Sequence, residues 1–568
     1  MPLRETTLLY LFTCPDYSQP ICTYHSQARL LLFIKLIFVM WPLAVRGSSG
    51  PQCLLSSSSL TDYGEKGNIT LDFIGPVNTM LSKPAIPFTA QPGPPPCDLF
   101  RLDLYKSSLA LLFATEEVSE NASLLPNITL GFRIWDSCFS EIPALRATFQ
   151  AISGDGNYIP NYKCVSEAPA VAVIGDPVSG PAVAMGRLLS LWAVPQVSYS
   201  ATSSSLSNKL EFPSFLRTIV SVDGQAAALI EICKKFGWNW IGILISSSDY
   251  GTVGGSILKT EAIRNSICIA FFEPVSYQQA GNQMQKIIEM VRRSTARVII
   301  LYCSAPEVYV VLVEVLRKNL TGKVWLGTES WFTSPVLLQP EFRHLLNNTI
   351  GIAKSRKILP SFTRFLQSLN PFKYPRMLSI RQFWEILFNC KWSAANISVI
   401  AQVPVCKGSE KIVTNDITEY NDPTSQSVYM AYNALYAITH ALNNLLSCKP
   451  NQGPFSGKSC ADKNNFQPWQ LLHYLKRVQF VNTAGELIAF DANGNIYGYL
   501  EIMNWQLDGN NIGRYVKVGT FDKYLALNES LIRWAGGHVT LLSAVDSQNP
   551  DRADLSHHYG KMVKKSKS

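Results

Sequence analysis

Charge is scarce in this chain: Asp, Glu, Lys and Arg make up 16% of its 568 residues, against 47% apolar. A sequence that poor in charge and that rich in apolar side chains does not stay unfolded, so wholesale disorder is excluded. Excess charge of one sign is also missing from its body. The formal net charge is +9, but Lys561, Lys564, Lys565 and Lys567 supply four of those positives within the last eight residues. The first 46 residues supply two more, which leaves +3 for residues 47–560 and excludes nucleic acid as a partner. Histidine is rare, seven in all, and four of them (His440, His473, His557, His558) fall in helix-like or tail segments. No GxSxG elbow, HExxH helix, P-loop or CxxC pair occurs. Hydrolytic, zinc-peptidase, nucleotide-hydrolysing and dithiol chemistries lack their residues, and the chain does not read as an enzyme. Beyond Val45 no apolar run reaches the ~18–20 residues a spanning helix needs. The best candidate, 298–316, carries Pro306, Glu307 and Glu314 and reads as a buried strand followed by a helix.

One apolar run is present near the start. Leu30 to Val45 follows Arg29 and precedes Arg46-Gly-Ser-Ser-Gly, the pattern of a secretory signal peptide or of an uncleaved signal anchor. Lys35 interrupts it, and 29 residues stand in front. Asn-x-Ser/Thr triplets at Asn68, Asn121, Asn127, Asn319, Asn347, Asn396 and Asn528 agree with export and glycosylation. The 13 cysteines show no zinc-like spacing, so in an oxidising compartment they read as disulfides with some thiols left over. The near pairs Cys390/Cys406 and Cys448/Cys460 are spaced as local staples.

Along the chain, a Pro-rich stretch (84–96) reads as an exposed loop or linker. After it, strand-like and helix-like segments alternate: strands near 170–174, 195–199, 240–245, 268–272, 297–302 and 323–326, with helices at 109–118, 182–192, 225–236, 257–265, 283–292 and 308–318. Short apolar strands alternating with helices predict βαβ units and parallel sheets, and roughly 350 residues of this rhythm call for two α/β lobes. In such sheets ligands bind beyond the carboxyl ends of the strands. Four polar loops stand there: Asp176–Gly180, Ser200–Ser204, Ser246–Gly251 and Gly327–Trp331. Ser179 and Thr202 offer hydroxyls and N–H groups to a carboxylate. Asp249 and Glu329 offer charge to an ammonium, and Tyr250 an aromatic face. Together they fit a zwitterion such as a free amino acid; taken singly, each also fits a helix cap or an ordinary turn.

Longer strings carry a resemblance. PQVSYSATSSSLSNKL (195–210) with FLRTIV (215–220), FGWNWIGILISSSDYG (236–251), RNSICIAFFE (264–273), KVWLGTESW (323–331) and ALNNLLSCKP…GKSCADK (441–463) resemble the ligand-binding ectodomain of class C G-protein-coupled receptors. The SYSAT…LSNK form and the 109–138 run are most similar to type-2 vomeronasal receptors, with the calcium-sensing receptor a relative in the same class. The likeness runs from about Tyr63 to Trp534. It implies a bilobal, periplasmic-binding-protein-like clamp that closes on a ligand, a dimer formed through the first lobe, and a G protein driven by the full-length form. It also implies disulfides Cys97–Cys138, Cys390–Cys406 and Cys448–Cys460; in the family the cysteine matching Cys268 pairs with one in a later Cys-rich module, which is expected to be missing here, so Cys268 is expected to be unpaired. Ser179, Thr202 and the backbone near Ser200 would take the ligand carboxylate, and Asp249, Tyr250 and Glu329 its amino group. The positions that select a side chain lie near Asp103 and Lys106 and differ from those of amino-acid receptors of known preference, so the ligand is an amino acid or a peptide. A Ca²⁺ role comes by kinship, without an acidic cluster that compels it.

The expected division is a signal region 1–46, a leader 47–63, a first lobe 64–217 and 355–461, a second lobe 218–354 and 462–537, and an unrelated basic tail 538–568. Other readings are a secreted decoy that competes for ligand without signalling, a calcium- and amino-acid-sensing receptor ectodomain, and a solute-binding transport protein.

Overall fold

The computed structural model describes residues 61–79, 97–121, 123–153, 170–277, 281–334, 339–347, 349–354, 357, 359–392, 403–412, 426–508 and 513–534. The signal region, the Pro-rich stretch, Asn396 and the basic tail lie outside them. No described helix is long and apolar enough to cross a membrane.

The first lobe is a six-stranded sheet of β1 (Thr61–Glu65), β2 (Ile69–Gly75), β3 (Leu130–Asp136), β4 (Ala172–Gly175), β5 (Gln196–Ser198) and β6 (Phe215–Arg217), in the order β1-β3-β2-β4-β5-β6. Helices α1 (Leu102–Glu120), α2 (Glu141–Ser153) and α3 (Ser179–Ser190) connect its strands. The second lobe begins with α4 (Val222–Lys235). Its eight strands are β7 (Trp240–Ser246), β8 (Cys268–Val275), β9 (Val298–Tyr302), β10 (Val324–Gly327), β11 (Ile350–Lys354), β12 (Leu500–Leu507), β13 (Gly513–Phe521) and β14 (Leu525–Leu527). They run in the order β8-β7-β9-β10-β11-β12-β13-β14. Between these strands come α5 (Asp249–Arg264), α6 (Asn282–Arg293) and α7 (Ala305–Arg317). The chain then returns to the first lobe as α8 (Pro360–Ser368), α9 (Leu378–Phe388), α10 (Gln426–Leu446) and α11 (Pro468–Leu475).

Burial explains why the central strands are continuously apolar. Successive residues alternate between two cores: Ile243 and Ile300 pack into one, Leu244, Ile299 and Leu301 into the other. Phe73 and Ile174 likewise face one side of the first sheet, and Ile74 and Val173 the opposite side. Both faces are covered, so the strand centres are mostly apolar and the polar residues on them are hydrogen-bonded, as Asp72 is to Arg133. Helix α5 approaches the second sheet closely through Gly254, where an added Cβ would meet the Tyr302 ring at 2.2 Å.

The expected α/β architecture is present, with parallel strands at the centre of both sheets, and two boundaries are corrected. Antiparallel strands are added at the sheet edges. Strand β1 runs antiparallel to β3, and β12, β13 and β14 add an antiparallel wing beyond β11. The second-lobe boundary also lies later than 462. Leu471, Leu472, Leu475, Val478, Phe480, Ile488 and Phe490 belong to the first-lobe core, because α11 packs on α10. The first lobe also starts three residues before 64, at Thr61.

The lobes are joined at three crossings: after Arg217, after Lys354, and ahead of Leu500. Two of them run side by side. Arg217 donates its backbone N–H to Gly494 O at 2.9 Å, and Ile496 donates to Arg217 O at 3.1 Å. Disulfides join Cys97–Cys138, Cys390–Cys406 and Cys448–Cys460. Among the described residues Cys233, Cys268 and Cys303 are free, and only Cys268 is exposed.

Candidate functional site

Both sheets send their strand-terminal loops toward the space between the lobes. In the first lobe, β4 ends at Gly175 and α3 begins four residues later at Ser179. The residue ahead of α3 is Val178, which makes no side-chain cap, so the helix's first N–H groups have no capping oxygen from it. Ser179 is buried, and its Oγ accepts from the Ser203 N–H at 3.3 Å. Ser198 at the end of β5 fastens the neighbouring loops: its hydroxyl donates to Asp176 O at 2.6 Å and accepts from the Ala201 N–H at 3.0 Å. Thr202 is 1% exposed, and its carbonyl accepts from the Val222 N–H at the first crossing.

Arg217 fixes this loop. Its side chain is wholly buried. Nη1 donates to Ala201 O at 3.3 Å and to Ser203 O at 2.8 Å, the two carbonyls that flank Thr202. Nε donates to Asn495 Oδ1 at 2.7 Å, and Nη2 to Ser207 Oγ. Burial pushes its pKa down to about 10, which still leaves it a cation at neutral pH. Asp176 beside Ser179 is also fully buried. Its Oδ1 accepts from the Val178 N–H, whereas Oδ2 has no partner of good geometry. Burial raises its carboxyl pKa to about 7, against the opposing effects of the Ser137 hydroxyl and the Val178 N–H.

In the second lobe, Glu329 follows β10 and is almost completely buried. Gln225 Nε2 donates to its Oε1 at 3.3 Å, and Lys354 Nζ lies 2.9 Å from its Oε2. Lys354 Nζ also donates to Ser200 Oγ at 3.0 Å, so one ammonium touches both lobes. Tyr250 stacks on Tyr302 at 5.1 Å and donates to Gln225 Oε1 at 3.4 Å. Burial holds both phenols well above their usual pKa.

Ser200, Glu329 and Tyr250 therefore share one network, through Lys354 and Gln225. Ser179 and Thr202 stand on the same first-lobe loops. Asp249 stands apart from Glu329: it is exposed, and its Oδ2 lies 3.8 Å from where a Cβ on Gly180 would be. An acid in the first turn of α5 also complements that helix's own dipole. The sequence reading did not assign Arg217, Gln225, Tyr302 or Lys354. The signal available for Lys354 was a charge ending the apolar run IGIAK. Lys106 is buried on α1.

Of the described sequons, Asn68, Asn121, Asn127, Asn319 and Asn528 are exposed. Asn347 is half-buried and accepts from the Leu507 N–H. The one described group of three metal-ligand types, Cys97, Asp136 and Cys138, is already committed. Its two sulfurs form a disulfide, and Asp136 accepts from the N–H groups of Val77, Asn78 and Cys138.

A family model described as the receptor family ligand binding region matches residues 106–508. The extracellular calcium-sensing receptor of Sus scrofa is 34% identical over 508 residues, covering 83% of this chain and 47% of that relative. The Homo sapiens receptor of the same name is 33% identical with the same coverage. Taste receptor type 1 member 2 of Homo sapiens is 32% identical over 415 residues, covering 71% of this chain and 46% of its own length. The chain spans about half the length of the curated relatives it matches.

Proposed function

Because this chain belongs to the family of receptor ligand-binding regions, we propose that it is the extracellular ligand-binding part of a class C G-protein-coupled receptor of the chemosensory, type-2 vomeronasal kind. In this reading a small carboxylate ligand, an amino acid or a peptide, is held between the lobes and draws them together. The observation that carries it is the meeting of strand-terminal loops from both sheets in one buried polar network, joined across the lobes by Lys354, Ser200 and Glu329. Ser179, Thr202 and the uncapped N–H groups of α3 supply hydroxyl and amide donors for the carboxylate. The exposed sequons fit export to the outer face of the plasma membrane. A dimer made through the first lobe, and a G protein on the far side of the membrane, complete the proposal.

The test is Thr202→Ala. The structural hydrogen bond of Thr202 is made by its carbonyl, so the substitution keeps the tie to Val222. Losing one hydroxyl bond to a carboxylate costs about 1.5–3 kcal/mol, roughly 10- to 100-fold in affinity. A thermal-shift screen against pooled amino acids and short peptides reads it, since a ligand at about 100 times its Kd adds about 2.7 kcal/mol to stability. Equal shifts in wild type and Thr202→Ala would remove the carboxylate role from this loop.

A further inference from the structure

Lys354 is the last residue of β11, at the point where the chain leaves the second lobe. Its Nζ stands 2.9 Å from Glu329 Oε2 and 3.0 Å from Ser200 Oγ, with the two charged side chains only 8% and 3% exposed. An ammonium is therefore already seated between the lobes. It lies against the carboxylate that the family resemblance would give to a ligand's amino group, and beside the loop proposed to take the ligand's carboxylate. Gln225 Nε2 donates to Glu329 Oε1, and among the described residues Lys354 is the cation within ion-pair distance of this carboxylate, at its Oε2. A free amino acid bound here would bring its own ammonium against that of Lys354, among buried side chains where like charges repel strongly.

We propose that Lys354 is a specificity-determining residue that fills the ammonium subsite from within the chain. The cleft then selects carboxylates whose α-position carries no positive charge. An N-acyl amino acid, which has the chemistry of a peptide's C-terminal residue, meets that requirement, and so does a 2-hydroxy acid. Truncating Lys354 vacates the subsite and exposes Glu329 to a ligand's ammonium. The inference rests on the carboxylate reading of Ser179 and Thr202.

The experiment measures affinities of the full chain for three matched pools: free L-amino acids, their N-acetyl derivatives and their 2-hydroxy acid analogues. Wild type, Lys354→Met and Thr202→Ala are compared by thermal shift and calorimetry. Wild type is expected to bind an uncharged-α pool at least tenfold tighter than the free amino acids, and the better of the two names the source. Lys354→Met should reverse the order, with free amino acids gaining at least tenfold. Wild type binding free amino acids as tightly as both other pools would overturn the role of Lys354, and so would a Lys354→Met protein with the wild-type preference. The wild-type comparison decides even where Lys354→Met does not fold. Undiminished binding in Thr202→Ala, or no shift with any pool from a cooperatively unfolding protein, instead overturns the carboxylate reading beneath it.

Discussion

Replacing Arg217 by methionine is expected to destabilise the protein by about 3–5 kcal/mol, because it removes the hydrogen bonds of a charged donor, each worth about 1.5–3 kcal/mol. Methionine replaces the aliphatic stem of the side chain but donates nothing. Ala201 O would lose its donor, while Ser203 O would keep only the Leu206 N–H and Asn495 Oδ1 only the Ser207 hydroxyl. Each buried acceptor left alone costs about 1–3 kcal/mol, and the relief of no longer burying a cation offsets part of the sum. Function should suffer beyond stability. The two carbonyls that Arg217 holds flank Thr202, so a folded Arg217→Met protein should also lose carboxylate affinity. Urea denaturation followed by ligand titration at low temperature separates the two effects. A variant within 1 kcal/mol of wild type would show that the loop is held by something other than the guanidinium.

Asp176→Asn should do the opposite above neutrality. Burial lifts the Asp176 carboxyl from its ordinary 3.8 to about 7. Between those values the folded protein holds a proton that the unfolded chain has released, so stability falls as pH rises. The contribution is whole below about pH 4 and is lost by the time pH passes about 7. A displacement of that size corresponds to on the order of 4 kcal/mol. Asparagine keeps an acceptor for the Val178 N–H and never ionises. The variant should therefore gain on wild type as pH climbs from 4 to 8, by up to that amount. Denaturation midpoints of both proteins across this range give the answer as a difference, which cancels the other titrating groups. Parallel profiles would mean that Asp176 ionises as freely in the fold as out of it.

The parts of this architecture readable from sequence were those where one physical demand acts alone. Strands β4, β7 and β9 are buried on both faces, so they appear as apolar runs, β4 closed by Gly175 and β7 by Ser246, and their positions follow directly. The antiparallel wing was not readable, because β13 is only partly buried and its residues show neither a continuous run nor strict alternation. The segment 468–490 was assigned to the wrong lobe because a short helix and a small hairpin carry no mark of which core they will join. The site divides the same way. Glu329 was visible as an acid in a post-strand loop. Its partner lies 25 residues later at the end of a different strand, and only the side-by-side pairing of β10 and β11 brings the two together. Asp249 looked equivalent to Glu329 on paper; burial separates them, and sequence does not report burial.

The threefold crossing between lobes has a consequence for how the chain is made. Strands β1 to β6 leave the ribosome first, yet the face carrying Leu71, Phe73 and Ile174 is covered in part by α10, which begins at Gln426. At roughly 5–20 residues per second, the roughly 250 residues between Ile174 and the start of α10 take on the order of 10–50 s to appear. Through that interval the first sheet waits with part of an apolar face unpartnered while the second lobe is being assembled. The order of synthesis thus makes the nascent first lobe a client for chaperones, and destabilising substitutions on that face should lower the yield of folded protein more than they lower the melting temperature of the finished protein.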